Sequence, residues 1–329
     1  MRIFSCWRKS ERVGGFAIKE MKIFVAGHRG MVGSAVVRAL ARRGCAQVLT
    51  RSRQELDLTN SVEVEKWFAR EKPDQVIDAA ARVGGILENS IRPVEFLIEN
   101  TRIQNNLMES AFRNGCEKFL FLGSSCIYPK HAPQPIREDS LLSGPLEPTN
   151  DAYALAKIAG VRLAQAYRDE YGKSAISAMP TNLYGPGDNF DPESSHALPG
   201  MITKFHRAKF KGEKEVVLWG TGSPRREWLH VDNLADGLLV LLEHYDEREI
   251  VNLGVGEDLT IKELAEKVMK AVGFAGSIRW DTGKPDGTPR KLLDVSKIRA
   301  LGWRPTIPID QGIASTYEWF LKNAPEAKV

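Results

Sequence analysis

Through the first half of the chain, short apolar runs alternate with longer stretches of helical periodicity. Lys22–Ala26, Gln47–Thr50, Gln75–Ala79 and Lys118–Leu122 read as strands. Between them, Met31–Arg42, Ser61–Arg70 and Pro93–Asn114 repeat apolar positions every three or four residues and read as helices. A helix over Asp151–Tyr171 and a strand over Ala175–Met179 continue the rhythm. Strands separated by helices predict βαβ units and a parallel, doubly wound sheet of Rossmann type.

After Pro180 the pattern changes. Thr181–Pro199 collects Gly, Pro, Asn and Asp and reads as loop. A helix over Leu198–Ala208, a strand over Val216–Trp219 and a helix over Asp232–His244 follow, then a helix over Thr260–Val272 opened by the capping pair Thr260 and Glu263. The expectation is an α/β protein with a Rossmann domain over residues 21–180. A smaller α/β substrate domain over 181–329 would cover the carboxyl edge of the sheet, with some return of the chain to the first domain. Residues 1–20 fall outside the pattern and read as a flexible N-terminal extension to a fold that starts at Met21.

Composition narrows the class more than the function. A hydrophobic content of 43% and a charged content of 27% are ordinary for a soluble enzyme. The formal net charge of +4 gives no bulk attraction for nucleic acid, yet it leaves room for a local basic site. The apolar run Leu238–Leu242 is far short of the roughly 20 residues that span a bilayer. Arg2, Arg8, Lys9 and Arg12 are followed by no apolar core of signal-peptide length. Cys6, Cys45, Cys116 and Cys126 form neither a disulfide framework nor a CxxC metal pattern, so a reducing, cytoplasmic location without a metal is expected.

Candidate chemistry begins directly after the first strand. Gly27, His28, Arg29, Gly30, Met31, Val32 and Gly33 form a GxxGxxG turn between an apolar strand and a helix. Glycines there allow a tight turn and close backbone approach to a pyrophosphate, which the helix N-terminus then attracts. An NAD site usually carries an acid after the second strand; here Thr50, Arg51, Ser52 and Arg53 stand there, with no carboxylate before Glu55. Arg29, Arg51 and Arg53 could pair with a 2′-phosphate, which favours NADP(H); the alternative is that they are solvated surface charge.

Tyr153 and Lys157 lie four apart on one predicted helix face. An ammonium there would lower the phenol's pKa and could hold a ribose hydroxyl, making Tyr153 a proton donor to a carbonyl that receives hydride. Ser124, just past the fourth strand, stands where such sheets bind ligands and could hydrogen-bond the same carbonyl. Cys126 and His196 are open from spacing alone, since a cysteine is usually a small buried hydrophobe and a histidine often structural.

The glycine turn, the serine and YxxxK, in that order, resemble the extended short-chain dehydrogenase/reductase family over nearly the whole chain from Met21. Within it, GHRGMVGSA (Gly27–Ala35), GSSCIYPK (Gly123–Lys130), EPTNDAYALAKIAG (Glu147–Gly160), MPTNLYGPGDNF (Met179–Phe190) and KPDGTPRKLLDV (Lys284–Val295) resemble the GDP-L-fucose synthase family. That resemblance implies epimerisation of GDP-4-keto-6-deoxy-D-mannose at C3 and C5, then NADPH-dependent reduction of the C4 ketone. It implies Cys126 as base and His196 as acid beside Ser124, Tyr153 and Lys157. Cofactor contacts would come from Gly27 to Gly33, Arg53, Asp57, Leu58, Leu122, Gly123, Ser124, Lys157, Pro180, Asn182, Leu183 and His196. Substrate contacts would come from Lys204, Trp219, Arg226 and Asp286. Lys204 departs from the arginine common in the family, keeping charge but losing the fork geometry; Trp219 at a strand end is also compatible with a core position. The resemblance further implies a homodimer through the two long helices. Two other readings remain: a nucleotide-sugar epimerase or dehydratase with permanently bound NAD, and a non-catalytic NADP(H)-sensing protein.

Overall fold

The computed structural model describes residues 18–192, 194–284 and 286–327. Its centre is a six-stranded sheet: β1 (Lys22–Ala26), β2 (Gln47–Leu49), β3 (Gln75–Asp78), β4 (Lys118–Leu122), β5 (Ser174–Pro180) and, after a long excursion, β10 (Val251–Leu253). The order is β10-β5-β4-β3-β1-β2 and every pairing is parallel. Both faces are covered, so the strands are apolar without alternation: Phe24 pairs with Val76, Val76 with Phe119 and Phe119 with Ala175, all buried. The helices are α1 (Met31–Arg42), α2 (Ser61–Glu71), α3 (Ile86–Ile91), α4 (Pro93–Arg113) and α5 (Asp151–Tyr171). Asn60 caps α2 by accepting from Val62 and Glu63 amides, and Gly172 ends α5 in the left-handed region at φ +64.

The strand order reverses direction at β1 and β3, and the crevice at that switch point is where doubly wound sheets take ligands.

The second half is more broken than the sequence suggests. Thr181–Pro199 is not loop throughout: β6 (Asn182–Tyr184) pairs in parallel with β9 (Trp228–His230). β7 (Glu215–Trp219) pairs with β12 (Ser277–Asp281). β8 (Arg225–Arg226) lies between β11 (Leu259–Thr260) and β13 (Arg290–Lys291). Helices α6 (Ala197–Phe210), α7 (Val231–His244), α8 (Ile261–Val272), α9 (Ser296–Ala300) and α10 (Ile309–Asn323) complete the chain. The Thr260–Glu263 capping box on α8 forms in both directions.

Two apolar cores result. One lies around the central sheet and includes α7, whose Leu238, Leu239, Leu241 and Leu242 are buried. The other joins α6, α8 and α10 to β7. Buried Glu227 stitches the connection, accepting from the Gly256 amide at 2.6 Å and the Leu293 amide at 3.1 Å. The expectation for residues 1–17 lies outside the described residues. Ile18 is buried with Met21 beneath the sheet, so the packed fold begins before Met21.

Candidate active site

The glycine turn sits at the switch point. Gly27 has φ +77, and a Cβ there would meet the Ala79 carbonyl at 2.7 Å; a Cβ on Gly33 would meet the Gly27 carbonyl at 2.2 Å. Glycine is therefore required for β1, the chain leaving β3 and the start of α1 to close on one another. Gly30 is the N-cap of α1 and offers no side-chain cap, so the first amides of the helix are left for a ligand. His28 Nδ1 beside them is buried without a partner among the described residues. Together these fit a dinucleotide pyrophosphate.

The arginines after β2 divide. Arg51 lies over Trp67 at 5.7 Å and faces Glu71 at 3.5 Å, so its guanidinium already serves the fold. Arg53 is 73% exposed in its side chain and reaches only Glu99 at 3.9 Å, and Arg29 is also exposed. Glu55, the nearest acid, is occupied by the Ser52 amide at 2.7 Å and hydroxyl at 2.6 Å. Asp57 is turned onto the Thr59 amide and hydroxyl. Among the described residues the end of β2 thus offers the exposed Arg29 and Arg53, while its two nearest carboxylates, Glu55 and Asp57, are engaged, which suits a 2′-phosphate.

At the carboxyl end of β4, Ser124 adopts an extended backbone and its hydroxyl accepts from the Cys126 amide at 3.2 Å. The same hydroxyl reaches the Tyr153 phenol from across the turn. Gly123 packs against the end of the Met179 side chain there, which a Cβ would have to displace. Lys157 is 3% exposed, donates to the Leu122 carbonyl at 2.8 Å and lies 4.9 Å from the Phe121 ring. Desolvation lowers its pKa to about 8, against the attraction of Asp78. Asp78, at the end of β3, is buried; desolvation raises its carboxyl to about 6, against the pull of Lys157.

The expected effect of Lys157 on Tyr153 is overturned. Desolvation, then the neighbouring Cys126, raises the phenol's pKa, and only the Ser124 hydrogen bond opposes this. The ammonium donates to Leu122, is drawn toward the Asp78 carboxyl and stands 6.0 Å from the phenol ring centroid. Tyr153 is therefore a firmly protonated acid at neutral pH, which suits donation better than abstraction.

Cys126 behaves in the opposite sense. Burial disfavours its thiolate, but the Lys291 ammonium and hydrogen bonds from Ser124, Lys291 and Asn150 outweigh burial, and its pKa lies below the usual thiol range. Lys291 Nζ is 3.6 Å and Asn150 Nδ2 3.4 Å from the sulfur. Sequence reading missed both residues: Lys291 lies within KPDGTPRKLLDV and Asn150 within EPTNDAYALAKIAG, but no local spacing links either to Cys126.

His196 is the N-cap of α6 and makes no cap hydrogen bond. Its ring is crowded enough that desolvation lowers its pKa. The preceding loop passes Gly85, where a Cβ would meet the Ser194 carbonyl at 3.2 Å; Gly85 is the N-cap of α3, which packs against the Pro148–Asn150 turn. No hydrogen bond joins His196 to the Cys126 group among the described residues. Of the remaining candidates, Pro180, Asn182 and Leu183 lie at the junction of β5 and β6, and Leu58 accepts from Asn106 through its carbonyl.

Across the crevice, Trp219 is 67% exposed and so is not core. Lys204 Nζ and Lys284 Nζ lie 5.7 and 5.4 Å from its ring centroid. Asp286 is fixed by the Thr221 amide at 2.9 Å and hydroxyl at 2.7 Å, and Arg226 lies beside it on β8. An exposed indole ringed by cations suits a nucleobase and its diphosphate.

The profile of the NAD dependent epimerase/dehydratase family matches residues 23–254. GDP-L-fucose synthase 1 of Arabidopsis thaliana is 56% identical over 94% of this chain and 96% of its own. GDP-L-fucose synthase of Escherichia coli K12 is 48% identical over 93% and 98%. The solved GDP-L-fucose synthetase of Naegleria fowleri bound to NADP superposes with a TM-score of 0.85 at 30% identity, covering 93% of this chain and 95% of its own. A glycine turn at the switch point, an activated cysteine beside a serine and a YxxxK helix, with these relatives, place the chain in the NAD dependent epimerase/dehydratase family, among the GDP-L-fucose synthases.

Proposed function

We propose that this chain converts GDP-4-keto-6-deoxy-D-mannose to GDP-L-fucose, inverting C3 and C5 and then reducing the C4 ketone with NADPH. The observation that carries the reading is a thiol held toward its anion two residues beyond a serine that also reaches a protonated tyrosine. A 4-keto group acidifies the C–H bonds on either side of it, because the carbanion is an enolate. Cys126 removes those protons and His196 returns one from the opposite face. Ser124 and Tyr153 hydrogen-bond the developing oxyanion during epimerisation. Tyr153 then protonates that same oxygen in the reduction. NADPH, when bound, supplies hydride. Gly27, Gly30, Gly33 and the α1 amides hold its pyrophosphate, Arg29 and Arg53 its 2′-phosphate, and Lys157 its ribose. Lys204, Trp219, Arg226 and Asp286 hold the GDP moiety.

Exposed Val94, Leu97 and Ile98 on α4 and Leu155 on α5 support a homodimer in which a second copy covers these helices. Among the described residues no helix is long and apolar enough to cross a membrane, and Cys45, Cys116 and Cys126 are free thiols, which supports a cytoplasmic location. The test mixes the protein with GDP-4-keto-6-deoxymannose and NADPH and follows NADPH oxidation with product analysis. GDP-L-fucose is expected; tightly retained NAD and no net NADPH oxidation would favour the epimerase reading instead.

A further inference from the structure

The geometry points to Lys291 and Asn150 as positioning residues that hold Cys126 as the anionic base of the epimerisation. The inference rests on the function proposed above and assigns it two residues that no family motif in the sequence singles out for this task.

Asn150 carries the first argument. It is the N-cap of α5, with non-helical backbone at φ −143 and ψ 23, and asparagine is among the residues that cap best. Its side chain nevertheless makes no cap hydrogen bond. The amide nitrogen donates instead to Cys126 Sγ at 3.4 Å. The helix forgoes that cap, and the sulfur lies at its positive end. Asn150 Oδ1 is buried and has no partner among the described residues, so the other end of the amide is open to a ligand hydroxyl.

Lys291 carries the second. It forms no ion pair among the described residues, and Cys126 Sγ at 3.6 Å is the acceptor its ammonium faces. Its backbone is fixed from several sides. β13 runs in register with β8, Leu292 donates to Gln134 Oε1 at 2.8 Å and Leu293 donates to Glu227 at 3.1 Å. A long, entropically costly side chain is thus delivered from a rigid base to one sulfur. The other charges nearby do not undo this. Glu147, on the turn entering Asn150, is neutralised by Lys130 at 3.0 Å, and Tyr153 is held protonated.

The proton accounting is simple. The Cys126 thiolate takes the proton from C3 or C5, an S–H bond forms, and the C–H electron pair becomes the enolate. Lys291 stays protonated throughout: it stabilises the thiolate before each transfer and favours its return once the thiol has given its proton up to solvent. The thiolate in turn keeps Tyr153 protonated, so base and acid are set in opposite states by one cluster.

The test titrates Cys126 in the full chain by its rate of alkylation with iodoacetamide against pH, with Cys126→Ala as background. In Lys291→Met the rate near neutral pH should fall at least tenfold and the profile should move to higher pH, while Lys291→Arg restores most of it. Deuterium uptake at C3 and C5 from D2O, with GDP-4-keto-6-deoxymannose and no NADPH, should fall by a similar factor. Asn150→Ala should lower both readouts several-fold, and serves if Lys291→Met does not fold. An unchanged alkylation profile in Lys291→Met, or in Asn150→Ala if the first variant is lost, would overturn the inference. A raised KM with unchanged alkylation would make Lys291 a phosphate contact. Alkylation needs no substrate, so a wild type that fails to turn over would sink the proposed function and leave this measurement intact.

Discussion

Cys116 and Cys126 sit at opposite ends of the same strand, β4, and their chemistry is opposite. Cys116 precedes the strand, is buried, and contacts the Asp74 and Lys118 carbonyls at 3.4 and 3.3 Å. Desolvation, with Asp74 and Glu117 nearby, pushes its pKa to about 12. Cys126 follows the strand and meets an ammonium, an amide donor and a serine. Residue type is the same; what differs is which end of a parallel sheet the side chain occupies. The carboxyl end is where the chain turns into helix N-termini, so donors and positive dipole ends collect there. Reactivity here is a property of topology before it is a property of cysteine.

The sharpest break of that comparison is a pair of alanine variants. Cys126→Ala should lower C3 and C5 exchange by about 10²- to 10⁴-fold, the range for loss of a general base. Its consumption of NADPH with a substrate that needs no inversion should stay within a few-fold. Cys116→Ala should keep exchange and cost about 1 kcal/mol of stability through lost packing. Proton NMR in D2O and urea unfolding read the two arms. Equal loss of exchange in both variants would erase the distinction.

Labelling gives the next contrast. At pH 8 a thiol with a pKa of about 12 is ionised on the order of one part in 10⁴, so native Cys116 should stay unmodified while Cys126 alkylates. Peptide mass spectrometry distinguishes them, and faster labelling of Cys116 would contradict the burial argument.

How much of this was legible in the sequence follows the same division. The glycine turn, β1–β5 and the helices between them are local patterns, and Gly27, Gly30, Gly33, Ser124, Tyr153 and Lys157 were readable because sequence neighbours define them. The Cys126 cluster draws on Asn150 and Lys291, 24 and 165 residues away, and only the pairing of β13 with β8 brings the second into range. β8, β11 and β13 are two residues each, too short for alternation to show. α10 is different: Ile309, Ile313, Thr316, Tyr317 and Phe320 carry a helical repeat that was present and went unassigned. The phenol's raised pKa could not be read from YxxxK, because Asp78 and Leu122, supplied by other strands, engage the ammonium.

A third prediction carries the comparison to the neighbouring strand. Asp74 at the amino end of β3 accepts from the Lys22 amide at 2.7 Å, whereas Asp78 at the carboxyl end is buried with Oδ2 unpartnered. Its carboxyl is raised from the ordinary 3.8 to about 6, so the folded state holds this proton more tightly than the unfolded chain. The stability tied to it is fully present below pH 4 and is lost as pH rises through about 6. The gap corresponds to about 3 kcal/mol at most. Asp78→Asn should therefore be more stable than wild type at pH 8 by up to that amount and show little gain at pH 4, as urea midpoints would report. A loss of stability at pH 8 would mean that Lys157 depends on the charge more than burial opposes it.

The smallest effect expected is at the end of β2, where two arginines two residues apart occupy different settings. Arg51 lies over Trp67 and near Glu71, while Arg53 is open to solvent. Arg53→Ala should weaken NADPH binding about tenfold and leave NADH binding unchanged, since a charge-assisted contact to a 2′-phosphate contributes roughly 1.5 kcal/mol. Arg51→Ala should instead lower stability by about 1 kcal/mol with little change in cofactor preference, because its guanidinium stays partly open to solvent, where a contact with the buried Trp67 ring contributes on that order. Fluorescence titration of both cofactors on both variants decides it. If Arg51→Ala shifted the preference and Arg53→Ala did not, the engaged arginine would be the phosphate ligand, and its packing on Trp67 would be what holds it in place for that task.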